Sequence, residues 1–478
     1  MEEIDILNDK KTNCEEMDSE KQTPDDILKV LGKSNHFLLS CIILTGLSWT
    51  VLSMTGLNAA FITQTCTNCT TMISIVDEWG LRDSKSYLAD LTTTGFMVGN
   101  MVGGALVAQY ADKYGRKPVF LLCLAGITFS GILAAFSTNI ETFFVCRLFQ
   151  GVFYTGGALV GWVLGYECAP LQLRCFTNVL FGLTWVLGYC MVAPLAYISS
   201  TWRWLIVYTS FPNIILALIC YLYLPESLYY LVSEGRSAEI KDWLRRADPK
   251  NFNNVRSLEP AQIVHTKITQ EKPRSLISEL LKYKIFIVYT SVLIYLWICD
   301  TFIYFGLSLY STHLAGNVYV NYLLMGLVEV PAYILSPIAM NKYGRKFVLS
   351  GTHILAALSF AGLIFCSEGN TVTIALWMLG KFSISCSFMS IYVYASEIFP
   401  TNIRNLSIGF CETLSRIGGI LAPYVTTLGR IWPSLPMVVL GFISLLGGLL
   451  VFIMPETLNK PLPSTIHEIS TRDERDSV

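Results

Sequence analysis

The sequence predicts an all-α polytopic membrane protein, with about twelve transmembrane helices arranged as two six-helix halves. Three observations predict it. Of 478 residues 53% are hydrophobic and only 14% charged, where a soluble globular domain has about a quarter of its residues charged. Apolar runs long enough to cross a bilayer recur along the chain. A set of short motifs returns once, displaced by 229 or 230 residues.

A hydrocarbon core about 30 Å thick needs about 20 residues of apolar helix. Runs of that kind lie near 36–61, 87–109, 118–137, 142–165, 176–198 and 204–224, and again near 284–310, 318–340, 347–366, 372–395, 405–428 and 435–454. They divide the chain into a tail (1–35), a first half (36–224) with an outer loop at 62–86, a central loop (225–283), a second half (284–455) and a second tail (456–478). Residues 1–35 lack a basic-then-apolar leader with a small-residue cleavage site, so no removable signal is expected there.

Lys and Arg gather in two short linkers, Asp112-Lys-Tyr-Gly-Arg-Lys117 and Asn341-Lys-Tyr-Gly-Arg-Lys346, and in the 225–283 loop. The positive-inside bias places these segments, and with twelve spans both termini, in the cytosol. The 62–86 loop then lies outside, where Asn68-Cys-Thr70 forms a glycosylation acceptor at Asn68. Cys66 and Cys69 in the same loop lack the second ligand pair a zinc site needs and read as a local disulfide. The cysteines within apolar runs act as small hydrophobes, and no metal site is expected.

The repeat has three marks. The Lys-Tyr-Gly-Arg-Lys linkers start one residue after 112 and 341. Glu167, Pro170 and Arg174 return as Glu397, Pro400 and Arg404, and Pro225-Glu226-Ser227 returns as Pro455-Glu456-Thr457. Gly115 and Gly344 permit a tight turn between adjacent spans. Asp112, Arg116, Glu167, Arg174, Arg345, Glu397 and Arg404 place acids beside bases at the helix ends. The carboxylates are not explained by orientation alone, because Asp and Glu contribute little to it.

These motifs, with Arg147-Leu-Phe-Gln-Gly151, resemble the signatures of the major facilitator superfamily. Ala395-Ser-Glu-Ile-Phe-Pro-Thr-Asn-Ile-Arg404, Val328-Glu-Val-Pro-Ala332 and Tyr304-Phe-Gly-Leu-Ser308 are narrower. They resemble the organic cation, anion and carnitine (zwitterion) transporter family of solute carriers, over roughly residues 87–460. That family usually has a large cysteine-rich domain after the first span, where this chain has a loop of about 25 residues. The resemblance implies two parallel halves with substrate bound between them near the midplane. The halves rock about that site, with Asp112, Gly115, Arg116, Arg147, Glu167, Arg174, Gly344, Arg345, Glu397 and Arg404 as gating residues. The expected activity is alternating-access transport of small organic ions or zwitterions across the plasma membrane, by a monomer.

A charge inside a spanning helix costs several kcal/mol and is a functional hypothesis by default. At 1.5 Å per residue, Glu412 and Arg416 lie about 12 and 18 Å into the eleventh span, four apart on one face. Lys381 in span ten reaches a similar depth, and Asp300 and Glu329 add two acids in spans seven and eight. Local neutralisation of Glu412 by Arg416, or structural bridges from Asp300 to Arg416 and Glu329 to Lys381, stand beside the pocket reading. In the resembled family the Arg416 position is acidic in cation transporters and basic in anion and carnitine transporters. Lys381 looks like the carnitine branch, and Trp297 with Asp300 the cation branch. A zwitterion satisfies both, its carboxylate on Arg416 or Lys381 and its cation near Asp300, Trp297 and Tyr304, which share a helical face. Trp185, Tyr189, Tyr392 and Tyr394 are further aromatic candidates.

In the central loop, Ile240, Trp243 and Leu244 recur at helical spacing, which predicts an amphipathic helix against the bundle or the headgroups. The chain carries no phosphate-binding G-x-x-x-x-G-K-[ST] loop and no metal or catalytic His/Cys cluster. An ATP-driven pump, an enzyme and a resident cofactor are therefore not expected, leaving the solute gradient, Na⁺ or H⁺ as the energy source. A net charge of −1 gives no basic surface for nucleic acid. A porter for sugars or other neutral solutes and a non-transporting membrane sensor are the competing readings. The midplane charges disfavour the first, and the intact motifs in both halves disfavour the second.

Overall fold

The computed structural model describes residues 24–64, 72–82, 85–249, 284–314, 316–366, 371–400 and 403–460. Asn68, Cys66 and Cys69 lie outside them. The spans are α1 His36–Ile62, α2 Tyr87–Tyr114, α3 Arg116–Ala135, α4 Ile140–Glu167, α5 Arg174–Ile198, α6 Trp202–Tyr223, α7 Lys284–Tyr310, α8 Val318–Tyr343, α9 Arg345–Ile364, α10 Thr371–Ile398, α11 Arg404–Leu421 and α12 Leu435–Leu450. Among the described residues 11 helices are long and apolar enough to cross a membrane. The helix α11 is the exception, because Arg404, Glu412 and Arg416 interrupt its apolar face.

The helices run past the apolar segments. Helix α2 continues through Asp112, Lys113 and Tyr114 and stops at Gly115, whose φ of +106° ends it; Gly344, at φ +94°, ends α8 in the same way. An L-residue is strained in that conformation, which is why both turns keep glycine. Helix α8 breaks between Leu327 and Glu329. Pro331 lacks the N–H that would bond Leu327 in a continuous helix, so the break leaves Glu329 at the start of a new helical segment, where the N-terminal dipole favours a carboxylate.

The same packing pattern recurs in each half. Helices α1 and α5, α2 and α4, α3 and α4, and α3 and α6 pack in the first half, as α7 and α11, α8 and α10, α9 and α10, and α9 and α12 do in the second. The α2–α4 contact is close because glycine lines it: a Cβ on Gly99 would stand 2.0 Å from the Leu148 carbonyl oxygen, and one on Gly151 2.1 Å from that of Phe96. Between the halves, α2 packs on α11 and α5 on α8.

A further helix, Pro24–Leu31, docks Ile27 and Leu28 into a cluster with Leu228, Tyr230, Leu231, Ile240, Trp243 and Leu244. The predicted amphipathic helix, Ser237–Ala247, thus turns its apolar face to the protein. Asn35 ties this layer to α1, donating to the Ala247 carbonyl at 2.8 Å and accepting from the amides of Phe37 and Leu38.

Candidate functional site: a charged, aromatic cleft between two halves

Contacts joining the halves gather from the middle of the bundle to the end away from the Lys-Tyr-Gly-Arg-Lys turns. The Tyr322 hydroxyl donates to the Leu57 carbonyl at 3.1 Å, and that of Thr312 to the Ala60 carbonyl at 3.2 Å. Phe61 stacks on Tyr319 and Tyr189 on Tyr322. Asp90 of α2 accepts from Thr427 at 2.7 Å and Thr426 at 3.2 Å, both in the short helix Tyr424–Ile431 after α11. Of these residues only Tyr189 stood out in the sequence, as an aromatic candidate; Asp90 is there a lone acid at a helix start.

At the opposite end the repeated motifs close within each half. Glu226 accepts from the amides of Arg116 and Lys117, each at 3.0 Å, and Glu456 from those of Arg345 and Lys346 at 3.0 and 3.1 Å. Each carboxylate caps the start of a spanning helix and satisfies amides the helix itself leaves open. A Cβ on Gly115 or Gly344 would lie 2.5 Å from the capping carboxylate, a second reason for glycine there. The Arg345 guanidinium grips Glu397 with Nε and Nη2, both at 2.9 Å, while Thr457 donates to Glu397 at 2.6 Å. In the first half Arg116 reaches Asp112 at 3.1 Å and Glu167 at 3.5 Å, and Ser227 donates to Glu167. Glu226, Ser227, Glu456 and Thr457 were visible as a repeated motif but had no assigned role; their offset, shared with Glu167 and Glu397, was the available signal.

The second arginines of the motif diverge. Arg174 bonds Asp25 at 2.8 Å and Tyr229 at 2.9 Å, holding the Pro24–Leu31 helix. Arg404 donates through Nε to the Phe399 carbonyl at 3.2 Å. Arg147 is buried in α4, where it donates to Gln150 at 2.7 Å and covers the Phe96 ring at 4.6 Å, away from the Lys-Tyr-Gly-Arg-Lys turns.

Near the middle of the bundle the structure brings five of the sequence candidates into two charged groups. Lys381 lies 3.0 Å from Glu329, both side chains fully buried. The ammonium donates to Ser308 at 2.8 Å and sits 3.1 Å from the Tyr304 ring centroid, and Tyr333 donates to the other Glu329 oxygen at 2.7 Å. The Tyr304 hydroxyl accepts from Trp185 Nε1 at 2.7 Å, a direct bond between the halves. The second group is Arg416 with Glu412, 3.0 Å apart on one face of α11, their side chains 23% and 30% exposed. An aromatic row connects the groups: Tyr304 touches Phe388, Phe388 touches Tyr392, and Tyr392 meets Trp297 edge-on at 5.4 Å. Trp49 and Trp185 add a contact from the first half.

Asp300 sits apart from both groups. It accepts from Ser387 at 2.9 Å and lies 3.5 Å from His353 Nε2, inside the second half among α7, α9 and α10. Trp297, one turn earlier, is fully buried. Tyr394 is also buried and donates to the Pro455 carbonyl at 2.6 Å.

Two pseudo-equivalent six-helix halves, each latched within itself at its motif-bearing end and together enclosing charged and aromatic side chains, define a multi-pass carrier of the major facilitator fold rather than an enzyme. The chain belongs to the sugar (and other) transporter family, whose profile matches residues 41–468. It is 50% identical to a protein described as a putative transporter of Caenorhabditis elegans over 95% of this chain and 93% of that one. It is 34% identical to the organic cation transporter protein of Drosophila melanogaster, over 83% of this chain and 74% of the relative. It is 32% identical to the organic cation/carnitine transporter 2 of Rattus norvegicus, over 83% and 72%. The narrower resemblance read from the sequence is thereby borne out. The fold matches the inward-open xylose transporter XylE of E. coli, with a TM-score of 0.68 at 17% identity, over 91% of this chain and 99% of that one.

Proposed function

We propose that this protein carries small organic ions or zwitterions across the plasma membrane by alternating access, as a monomer with both termini in the cytosol. The observation that carries the reading is the pair of mixed-charge groups, Lys381 with Glu329 and Arg416 with Glu412, joined by an aromatic row beside the contact between the halves. A neutral solute needs hydrogen-bonding amides and hydroxyls, not four formal charges kept at a cost of several kcal/mol each. The names of the relatives agree with this substrate class.

In this reading Arg416 meets the substrate carboxylate, since its guanidinium is partly open and offers the planar fork that binds carboxylates in two-point fashion. Glu412 holds it in place between substrates. The faces of Tyr304, Phe388 and Tyr392 receive an ammonium group, and Glu329 supplies the compensating charge when Lys381 turns to the substrate. Asp300 and Trp297 support this wall from behind. The Arg345–Glu397 and Arg116–Glu167 clusters keep each half rigid while the halves rock, and Asp90 with Thr426 and Thr427 forms the outer closure. Asn68, on the outer loop, carries the glycan.

The test is radiolabelled uptake of tetraethylammonium, carnitine, p-aminohippurate and glucose in oocytes, with and without Na⁺. Uptake of a charged or zwitterionic probe and not of glucose supports the reading. Uptake of glucose alone overturns it.

A further inference from the structure

Asp300, Ser387 and His353 come from three helices, α7, α10 and α9, and all three are fully buried in the second half. Their hydrogen bonds restrict where protons can be. Ser387 has one hydroxyl proton, and donates it to Asp300 Oδ2 at 2.9 Å. Its contact with His353 Nε2 at 3.0 Å is then one in which the serine oxygen accepts, so His353 carries a proton on Nε2. Two atoms are left without a hydrogen-bond partner: Asp300 Oδ1 and His353 Nδ1. With Asp300 ionised and His353 neutral, the cluster holds a net negative charge that no lysine or arginine pairs among the described residues. One added proton, on the unpartnered Asp300 Oδ1, brings the cluster to zero net charge. Burial of an uncompensated charge is costly, so this arrangement favours the proton-loaded form.

The groups packed around the cluster do not supply that charge by other means. Cys299 of α7 and Tyr392 of α10 interact electrostatically with Asp300, while Lys381 of α10 and Glu412 and Arg416 of α11 belong to the two charged groups apart from it. Lys381 is engaged by Glu329 and Arg416 by Glu412. Helix α12 presents only Ser444, which donates to the His353 carbonyl at 2.8 Å, and the glycines Gly447 and Gly448, while α9 presents His353 itself.

We infer that Asp300, Ser387 and His353 form a one-proton binding site that couples transport to a proton gradient. The inference rests on the transport reading above and names its driving ion. The coupling route is short. Asp300 and Tyr304 are four residues apart on α7, and Tyr304 holds both the Lys381 ammonium and the bond to Trp185 of the other half. Ser387 and Lys381 share α10. A displacement of α7 against α10 that opens the Tyr304–Trp185 contact therefore also disturbs the Asp300–Ser387 bond. Protonation leaves the cluster neutral and lets it stay closed; loss of the proton restores the unpaired carboxylate and favours the arrangement in which water reaches it.

The experiment uses full-length purified protein in two measurements. In infrared pH titration without added solute, the wild type loses one protonated-carboxyl band on alkalinisation. That band is absent in Asp300→Asn and titrates at a different pH in His353→Gln. In proteoliposomes with the membrane potential clamped, counterflow and net uptake of carnitine, tetraethylammonium and p-aminohippurate are followed. A gradient of one pH unit, acid outside, accumulates the transported probe up to about tenfold in the wild type; His353→Gln keeps counterflow and loses the accumulation. A titration identical in wild type and both variants, or counterflow in the wild type without accumulation of the probe under the pH gradient, overturns the inference and leaves the transport reading standing. The expected infrared titration with no counterflow of any probe supports the proton site and sinks the transport reading.

Discussion

Lys381 and Glu329 meet at 3.0 Å with neither side chain exposed. Breaking such a pair from one side leaves a buried charge alone and costs about 3–5 kcal/mol, whereas removing both charges is often close to neutral. Lys381→Gln and Glu329→Gln should each lower the melting temperature in detergent clearly, and the double variant should recover most of the loss. Additive losses in the double variant would show that the two charges do not depend on each other.

Arg416 is partly open and, among the described residues, pairs with Glu412, so its loss should spare folding. Arg416→Ala is expected to abolish uptake of carboxylate-bearing probes while surface expression stays at the wild-type level. Retained carnitine and p-aminohippurate uptake would remove Arg416 from the substrate path.

Asp90 holds two threonine hydroxyls of the opposite half. At about 1 kcal/mol for each hydrogen bond, Asp90→Ala should shift the equilibrium toward the outward-open form and speed thiol labelling of an outer-cleft cysteine about thirtyfold. Unchanged labelling would mean that the outer closure rests on the aromatic contacts alone.

Outside the membrane, Glu78 takes hydrogen bonds from Arg203 and Trp202, and the bond from Arg203 is the main cause that holds its carboxyl below the usual value of 4.5. A carboxylate with a depressed folded-state pKa contributes stability above its ordinary pKa and loses it as pH falls through the depressed value. The stability difference between wild type and Glu78→Gln should therefore be constant from neutral pH down to near the ordinary value and shrink below it. A difference that vanished near pH 7 would contradict this.

Much of this architecture is legible in the sequence, because a bilayer forces apolar length and the duplication repeats its punctuation. Helix ends were less so: α2 and α8 extend through charged residues to Gly115 and Gly344, since helix termination there depends on backbone conformation rather than on hydropathy. The inner-end clusters were half legible. Arg345 with Glu397 follows from helix ends brought together, whereas Glu226 and Glu456 act by capping the next helix, a role set by the three-dimensional return of the chain. Within the site, Glu329 and Lys381 form one of the two expected bridges, and Glu412 with Arg416 forms the local pair. Asp300 did not meet Arg416: it accepts from Ser387 of α10 and lies 3.5 Å from His353 of α9, and a lone histidine in an apolar run gave no sign of that partner.

The central claim, that the halves rock about the charged cleft, is tested most directly by spin-label distances at both ends of one protein. Labels at the exposed Tyr114 and Tyr343 report the inner end, and labels at Tyr197 and Val320 the outer end. The account predicts two populations at each end with opposite trends: when a transported probe is added, the fraction with long inner distances falls as the fraction with long outer distances rises. Distances that stay single-valued at both ends, or lengthen together, would contradict it.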